Sequence, residues 1–438
     1  MAESVEQLSV KDRLFAQWRR PDRAHTFSGW KITGALCAIY FLSIGVTYYG
    51  YAAILPSMIL DLGWTRGDAS LGFALLSIVI GIAGPLAAYS IRRIGARNTI
   101  IAGGAVNALG ALITYFTDSL LQYYVGVGVV MAVGITFQTL VPAGQVLANW
   151  FMQRRALTMG MFLSMGGFGA FISTPAFAYL ATATGDWRGA WLVMACSALL
   201  ASLIAYLFVH NHPDDLGQHQ DGVDPSLPPA PAGKTRRMPA VYQTAYQWTM
   251  REAVRTRAFW TIITAASIAT MGLSLSTSQA LIYLHQDRGI DAVLAASALG
   301  TVGLMGAVGR LSGGVLGDHF EPRYIMAAGL TLLLVGMVLL NYTDSVVLVY
   351  AYAISLGFGY GLSYVSLPTL VANYFSAHDY ARLIASSYFV VVPISAIAPI
   401  AAGYTYDQVH SYTIIFLGFS VLTVVPIVMM MMLRPPVR

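Results

Sequence analysis

Arg310 stands alone. It lies between the apolar stretches DAVLAASALGTVGLMGAVG and LSGGVLG, and of the 25 Lys and Arg residues it is the one placed deep inside a long apolar run. Eight positions separate it from Asp318. On a helix that spacing sets it about 12 Å from the end of its run. A guanidinium at such depth in hydrocarbon costs several kcal/mol unless it meets water or an anion. The Asp and Glu residues fall in polar segments or at the edges of apolar runs, and no His sits in the core of one. The chain therefore offers Arg310 no evident acidic mate. A carboxylate from outside would supply one, because the planar guanidinium fork donates two parallel hydrogen bonds to a carboxylate. The alternative is that Arg310 snorkels to the nearer surface or satisfies backbone carbonyls, which two helical turns make strained.

Uncharged polar residues interrupt other apolar runs. Tyr48 and Tyr49 lie in the first run, Tyr360 and Tyr364 in the tenth, Tyr388 in the eleventh, Gln138 in the fourth and Gln279 in the seventh. These are the candidates to line a cavity with Arg310, since phenols donate hydrogen bonds while presenting an apolar wall. The competing roles are interfacial anchoring and bridges between helices. The glycine runs GGFGAF (166–171) and GFGYGL (357–362) follow no strand, so they read as close helix packing rather than phosphate cradles. No GK[ST] loop exists to bind ATP. The two cysteines, Cys37 and Cys196, lie in separate apolar runs and are read as small buried hydrophobes, with no disulfide, metal site or cofactor expected.

The elements that must hold these residues are membrane spans. The chain is 57% hydrophobic and 10% charged, with a mean hydropathy of +0.64; soluble domains carry about 25% charged residues. Twelve runs reach the roughly 20 apolar residues that a spanning helix needs: 31–58, 69–91, 98–117, 120–147, 157–183, 189–209, 258–284, 292–316, 324–342, 346–373, 382–404 and 412–433. With both ends placed inside, 21 Lys and Arg residues fall in inside segments and three (Arg66, Arg188, Arg288) outside. The positive-inside rule selects that orientation. It also explains the pI near 9.1 without a nucleic-acid partner.

The expected division is a cytoplasmic segment 1–30, a six-helix bundle 31–209, a central loop 210–257, a second bundle 258–433 and a tail 434–438. Residues 1–29 are polar and basic, so no cleaved signal peptide is expected. The central loop begins rich in Pro, Asp and Gln, and VYQTAYQWTMREAVRTRAFW at its end is a candidate amphipathic helix on anionic headgroups. The halves repeat: ANWF (148–151) recurs as ANYF (372–375), and Pro175 pairs with Pro399 at the same offset. Internal repeats of this kind place a substrate site between halves.

These residues resemble a known family. GPLAAYSIRRIGARNTIIAGG (84–104) and LSGGVLGDHFEPR (311–323) resemble the loops after the second span of each half in major facilitator transporters. The resemblance implies an all-α fold of two pseudo-symmetric six-helix bundles that works by alternating access. It also implies a conformational latch: Asp318 with Arg323 in the second half, while Arg92, near Arg97, stands where the family has an acid in the first. DLGWTRGDASL (61–71), ANWFMQRRALTMGM (148–161), EAVRTRAFW (252–260) and GRLSGGVLGD (309–318) are similar to the monocarboxylate and oxalate–formate branch. That likeness implies a carboxylate substrate and gives Arg310 the substrate role. The oxalate carrier's second basic residue has no counterpart in ASSYFVVVPISAIAPIAAG (385–403), so a monocarboxylate is expected. Gly306 stands where animal monocarboxylate carriers place an acid. Anion exchange and proton symport both stay open, with Asp61 and Asp407 as candidate proton carriers.

The expectation is a secondary transporter, not an enzyme, in a bacterial cytoplasmic membrane. Its partners are a small organic anion, with protons or a counter-anion, and the lipid bilayer; no obligate protein partner is expected. The alternative is a proton-driven exporter of hydrophobic compounds.

Overall fold

The computed structural model describes residues 27–152, 154–222, 242–244, 246, 248–317, 319–375 and 380–436. Among these, eleven continuous helices are long and apolar enough to cross a membrane. One of them, Arg66–Tyr115, is 50 residues long and breaks at Gly95, whose φ of 82° and ψ of 162° lie outside the helical region. Glycine reaches that conformation without a Cβ clash. The break divides the helix in two at the charged IRRIGAR stretch, giving twelve spans.

In chain order the spans are α1 (Gly29–Leu62), α2 (66–94), α3 (96–115), α4 (Leu120–Trp150), α5 (Arg155–Thr184), α6 (Arg188–Phe208), α7 (257–287), α8 (Ala292–Gly317), α9 (Pro322–Leu340), α10 (Val346–Phe375), α11 (Arg382–Val409) and α12 (Thr413–Met432). Their limits agree with the apolar runs to within a few residues. Span α2 begins at Arg66 because the Thr65 hydroxyl accepts from the Asp68 amide as an N-cap. Gly63 and Gly185 end α1 and α5 in the left-handed conformation.

Twelve alternating spans put Gly29 and Met432 on one face, here the terminal face, and Arg66, Asp287 and Asp407 on the opposite face. Spans α1–α6 and α7–α12 form two bundles. Lipid-facing surfaces carry large apolar side chains, such as Leu199, Leu203 and Leu207 on α6 and Val421, Val425 and Val428 on α12. Cys37 is buried as expected, whereas Cys196 is exposed on that outer face of α6; both are free thiols.

Three spans depart from α geometry, α4 among them with a π-helix over Tyr124–Met131. Phe41–Tyr48 in α1 is a π-helix, and α7 carries π turns at Ser276–Ala280 and Tyr283–Asp287. Such bulges re-aim side chains and concentrate at functional sites. Span α4 is interrupted at Thr139, with φ −119° and ψ −115°.

The stretch ending the central loop is not a long surface helix. Met250–Ala253 forms a single turn closed by a Thr249–Glu252 capping box. The residues before it dock on the second bundle: the Thr244 amide donates to the Asn373 carbonyl, and Trp248 is buried with its ring 5.8 Å from that of Phe375. Trp248 thus packs against protein, while Tyr242 and Trp260 stay exposed. Most of the Pro-rich part, 223–241, lies outside the described residues.

The pseudo-symmetry extends to the terminal face. Arg97, at the start of α3, donates to the Tyr206 carbonyl at the end of α6. Arg323, at the start of α9, donates to the Leu433 carbonyl just past the end of α12. Each guanidinium thus caps the carbonyl end of the last helix of its own bundle, where the helix dipole favours a cation. Among the described residues, the hydrogen bonds of Arg97 and Arg323 therefore brace each bundle internally. Arg92 is exposed. Asp318 lies outside the described residues, as would any contact it makes with Arg323.

Candidate functional site

A cavity of about 220 Å³ lies between the bundles. The first bundle contributes Tyr40, Ile44, Tyr48 and Tyr49 from α1, Ser77 and Ile80 from α2, and Ile135, Thr139 and Leu140 from α4. Arg310 on α8 and Tyr360 and Tyr364 on α10 form part of the second wall, completed by residues of α7 and α11. The π segment of α1 accounts for the first wall: a wider turn keeps Tyr40, Ile44 and Tyr48 on one face. The Ser77 and Thr139 hydroxyls of this wall bond to their own helices, so the cavity is a largely apolar chamber with one cation among the described residues.

The Arg310 side chain is held on two sides. Nη1 donates to the Leu163 carbonyl of α5 at 2.8 Å, across the bundle interface. The guanidinium carbon sits 4.9 Å from the centroid of Tyr364 and 5.6 Å from that of Tyr360. An aromatic face attracts a cation without neutralising it. Among the described residues the ion pairs are Arg66–Asp287, Arg188–Asp61, Arg188–Asp118 and Arg288–Asp344, and none involves Arg310. Its Nε is buried with no hydrogen-bond partner. Arg310 thus points neither at lipid nor at a protein carboxylate; it faces the chamber with donors to spare.

Other candidates divide. Tyr48, Tyr49, Tyr360 and Tyr364 line the cavity with Arg310. Tyr388 stands behind Tyr364, with ring centroids 6.2 Å apart, and is not part of the wall. Gln138 is fully buried within the first bundle, where its amide oxygen accepts from Ser43 at 2.7 Å and Asn107 at 3.2 Å and its nitrogen donates to the Ala198 carbonyl. That amide ties four helices together and has no free face for a ligand. Gln279 is also fully buried, donating to the Ser70 hydroxyl at 2.8 Å and accepting from Tyr412 at 2.7 Å. It bridges the bundles near the opposite face instead of lining the chamber.

The residues that the sequence reading missed are those that seal the opposite face. Arg66, at the head of α2, makes a two-pronged pair with Asp287 of α7 at 2.7 and 2.8 Å and also donates to Gln286. Its guanidinium stacks 3.7 Å from the Tyr406 centroid, and the Tyr406 hydroxyl donates to Asp287. Asp407 of α11 accepts from the Arg66 and Gly67 amides at 3.1 and 2.9 Å, satisfying the free N–H groups of the α2 terminus. Asp61, by contrast, stays within the first bundle, bound by the Trp187 indole and Arg188. Sequence counting had recorded Arg66 only as one of three charges outside the basic face. Its signal was the DLGWTRGD stretch, where a cation opens a span.

The family model for the Major Facilitator Superfamily matches residues 36–394 and 313–438. The chain belongs to this superfamily. It is a multi-pass integral membrane transporter, and solved members share its architecture. A bacterial homologue of the human lysosomal transporter Spinster, in an inward-facing and occupied conformation, superimposes with a TM-score of 0.66 at 15% identity, covering 93% of this chain and 97% of that one. A nucleoside transporter gives 0.68 at 11% identity, covering 92% and 99%.

Among curated proteins, human monocarboxylate transporter 2 is 24% identical over 369 residues, 78% of this chain and 72% of its own length. The Mesocricetus auratus form is 23% identical over 430 residues, 91% and 82%. Mouse monocarboxylate transporter 11 is 30% identical over 183 residues, and that match spans 40% of either chain.

Proposed function

We propose that this superfamily transporter carries a small organic monocarboxylate, with Arg310 as the group that pairs with its carboxylate. One observation carries the reading: a guanidinium in the wall of an inter-bundle chamber has unused donors and no acidic partner among the described residues. Burial of an anion there would neutralise it and lower the cost of closing the chamber around it. Among the described residues the wall holds no second cation, so one negative charge balances it. Cavities for drug-sized ligands run from about 300 to 1,000 Å³; this one, at about 220 Å³, favours a small acid over the bulky hydrophobic cargo of an exporter. The resemblance to monocarboxylate transporters agrees with that class.

In this reading the basic terminal face is cytoplasmic, in a bacterial inner membrane. The Arg66 lock closes the outer face, and the chamber exchanges with the cytoplasm. The anion, once bound, allows the bundles to rock until the lock opens. Among the described residues the chamber wall contains no Asp, Glu or His. The cycle is therefore either an exchange of anions or a symport whose proton binds elsewhere or rides on the acid itself.

Uptake by proteoliposomes of purified protein tests the class. Short monocarboxylates should compete with a labelled acid, while oxalate and bulky aromatic acids compete weakly. A loaded counter-anion should accelerate exchange, whereas an imposed pH gradient should drive symport. Strong uptake of uncharged hydrophobic compounds with no carboxylate competition would refute the proposal.

A further inference from the structure

One fully buried amide touches both irregular segments of the first wall. Gln138 lies in α4 directly before the break at Thr139. Its amide oxygen accepts at 2.7 Å from Ser43, which sits inside the π segment of α1. The same oxygen accepts from Asn107 of α3, and the amide nitrogen donates to the Ala198 carbonyl of α6 at 3.0 Å. That support is tightly packed. A Cβ on Gly134 would overlap the Asn107 backbone, and one on Gly104 would overlap the Gln138 amide and the Ala198 carbonyl. Neither Ser43 nor Gln138 lines the chamber, yet each is the chain neighbour of a residue that does: Ile44 follows Ser43, and Thr139 follows Gln138.

π geometry is rare and persists where its surroundings hold it. In α1 the Tyr49 amide reaches back five residues to the Ile44 carbonyl. Side chains of two other spans grip this stretch: Gln138 of α4 through Ser43, and Ser173 of α5, whose hydroxyl donates to the Gly45 carbonyl. A regular α-helix turns about 100° per residue. Relaxing a π bulge to that geometry would swing Tyr48 and Tyr49 by about a third of a revolution relative to Tyr40. We infer that Gln138 is a positioning residue for transport. Through Ser43 it holds the π segment of α1, and through its own backbone the break of α4, in the register that builds the first wall. Without the amide that wall turns, and the chamber loses affinity for its anion while Arg310 keeps its place on the other bundle. A small misplacement of a binding wall is costly because the ligand must then be held in a poorer geometry. This inference rests on the monocarboxylate reading above.

The test measures KM and kcat separately for a labelled short monocarboxylate in proteoliposomes. Gln138→Leu keeps the bulk and removes donor and acceptor; KM should rise about tenfold, with kcat within about twofold of wild type. Ser43→Ala should raise KM about fivefold, and the double variant should be no worse than Gln138→Leu alone, because both changes remove the same bond. Thr114→Ala is the control. It too loses a buried hydrogen bond within the first bundle, to the Gly110 carbonyl, but Thr114 does not line the cavity. Its melting temperature should fall while its KM stays at the wild-type value. Should Gln138→Leu fail to reach the membrane, Ser43→Ala carries the test by itself. A wild-type KM in Ser43→Ala, a loss of kcat with KM unchanged in Gln138→Leu, or an equal rise of KM in Thr114→Ala would overturn the inference and leave the anion reading intact. Wild-type protein that carries no monocarboxylate would overturn both.

Discussion

The two bundles meet along two seams of opposite chemistry. Along α5 and α8 the contact is backbone against backbone. A Cβ on Gly167 would lie 2.2 Å from the Gly303 carbonyl oxygen, a Cβ on Gly300 would press on Phe171 and Thr174, and the Thr174 hydroxyl donates to the Ala296 carbonyl at 2.8 Å. No charge takes part until Arg310 reaches the Leu163 carbonyl. Where α2 meets α7 and α11, the contact at the opposite face is charged: the Arg66–Asp287 fork, the Asp407 cap and the Tyr406 stack. Small residues let helices slide at constant separation, whereas a directed ion pair is either made or broken. The glycine seam therefore suits a pivot that persists through the cycle. The charged seam suits a lock that must open whenever the chamber turns to the other face.

The largest effect should come from wedging the pivot. Gly167→Leu drives a side chain into the α8 backbone and should reduce uptake to the background of empty liposomes. A protein that still transports at near-wild-type rate would mean the helices separate freely there.

The lock should give an intermediate effect of a different kind. Breaking a pair that is only 10% and 20% exposed leaves an uncompensated charge, a loss of about 3–5 kcal/mol when fully buried and less at this partly wetted face. Arg66→Ala should shift the population toward the open lock about tenfold or more. The measurement is the rate of thiol labelling of a cysteine placed at Ser70, which lies beneath the lock. The exchanged pair Arg66→Asp with Asp287→Arg should recover part of the protection.

The smallest effect belongs to Tyr406→Phe. It removes the hydroxyl bond to Asp287 at 2.9 Å but keeps the ring under Arg66. A two- to fivefold faster labelling of the same cysteine is expected, the worth of one half-exposed hydrogen bond.

Much of this organisation was legible in the sequence for a simple reason. A span announces itself by length and hydrophobicity, so the helices, their two sets and the solitary Arg310 followed from composition along the chain. Pairing across the fold left no such trace. Gln138 and Gln279 have the same residue type and setting as a cavity amide, yet their partners, Ser43 and Ser70, lie 95 and 209 residues away. In the run SLSTSQ nothing in residue type separates the unpartnered Ser274 and Thr277 hydroxyls from the bonded Ser276 and Ser278. Arg97 and Arg323 matched the latch pattern; that their guanidiniums also reach the carbonyl ends of α6 and α12 required the fold. Asp407 was noted as an acid near a span end; that it caps α2 required the fold.

The account depends on the charge at one position, and exchange of a labelled monocarboxylate by proteoliposomes containing Arg310→Ala measures it. The variant should insert and melt like the wild type, since the residue it lacks donates one hydrogen bond to a carbonyl, while exchange falls to background; Arg310→Lys should recover little, having no planar fork. Exchange by Arg310→Ala with wild-type affinity for the acid would contradict the account.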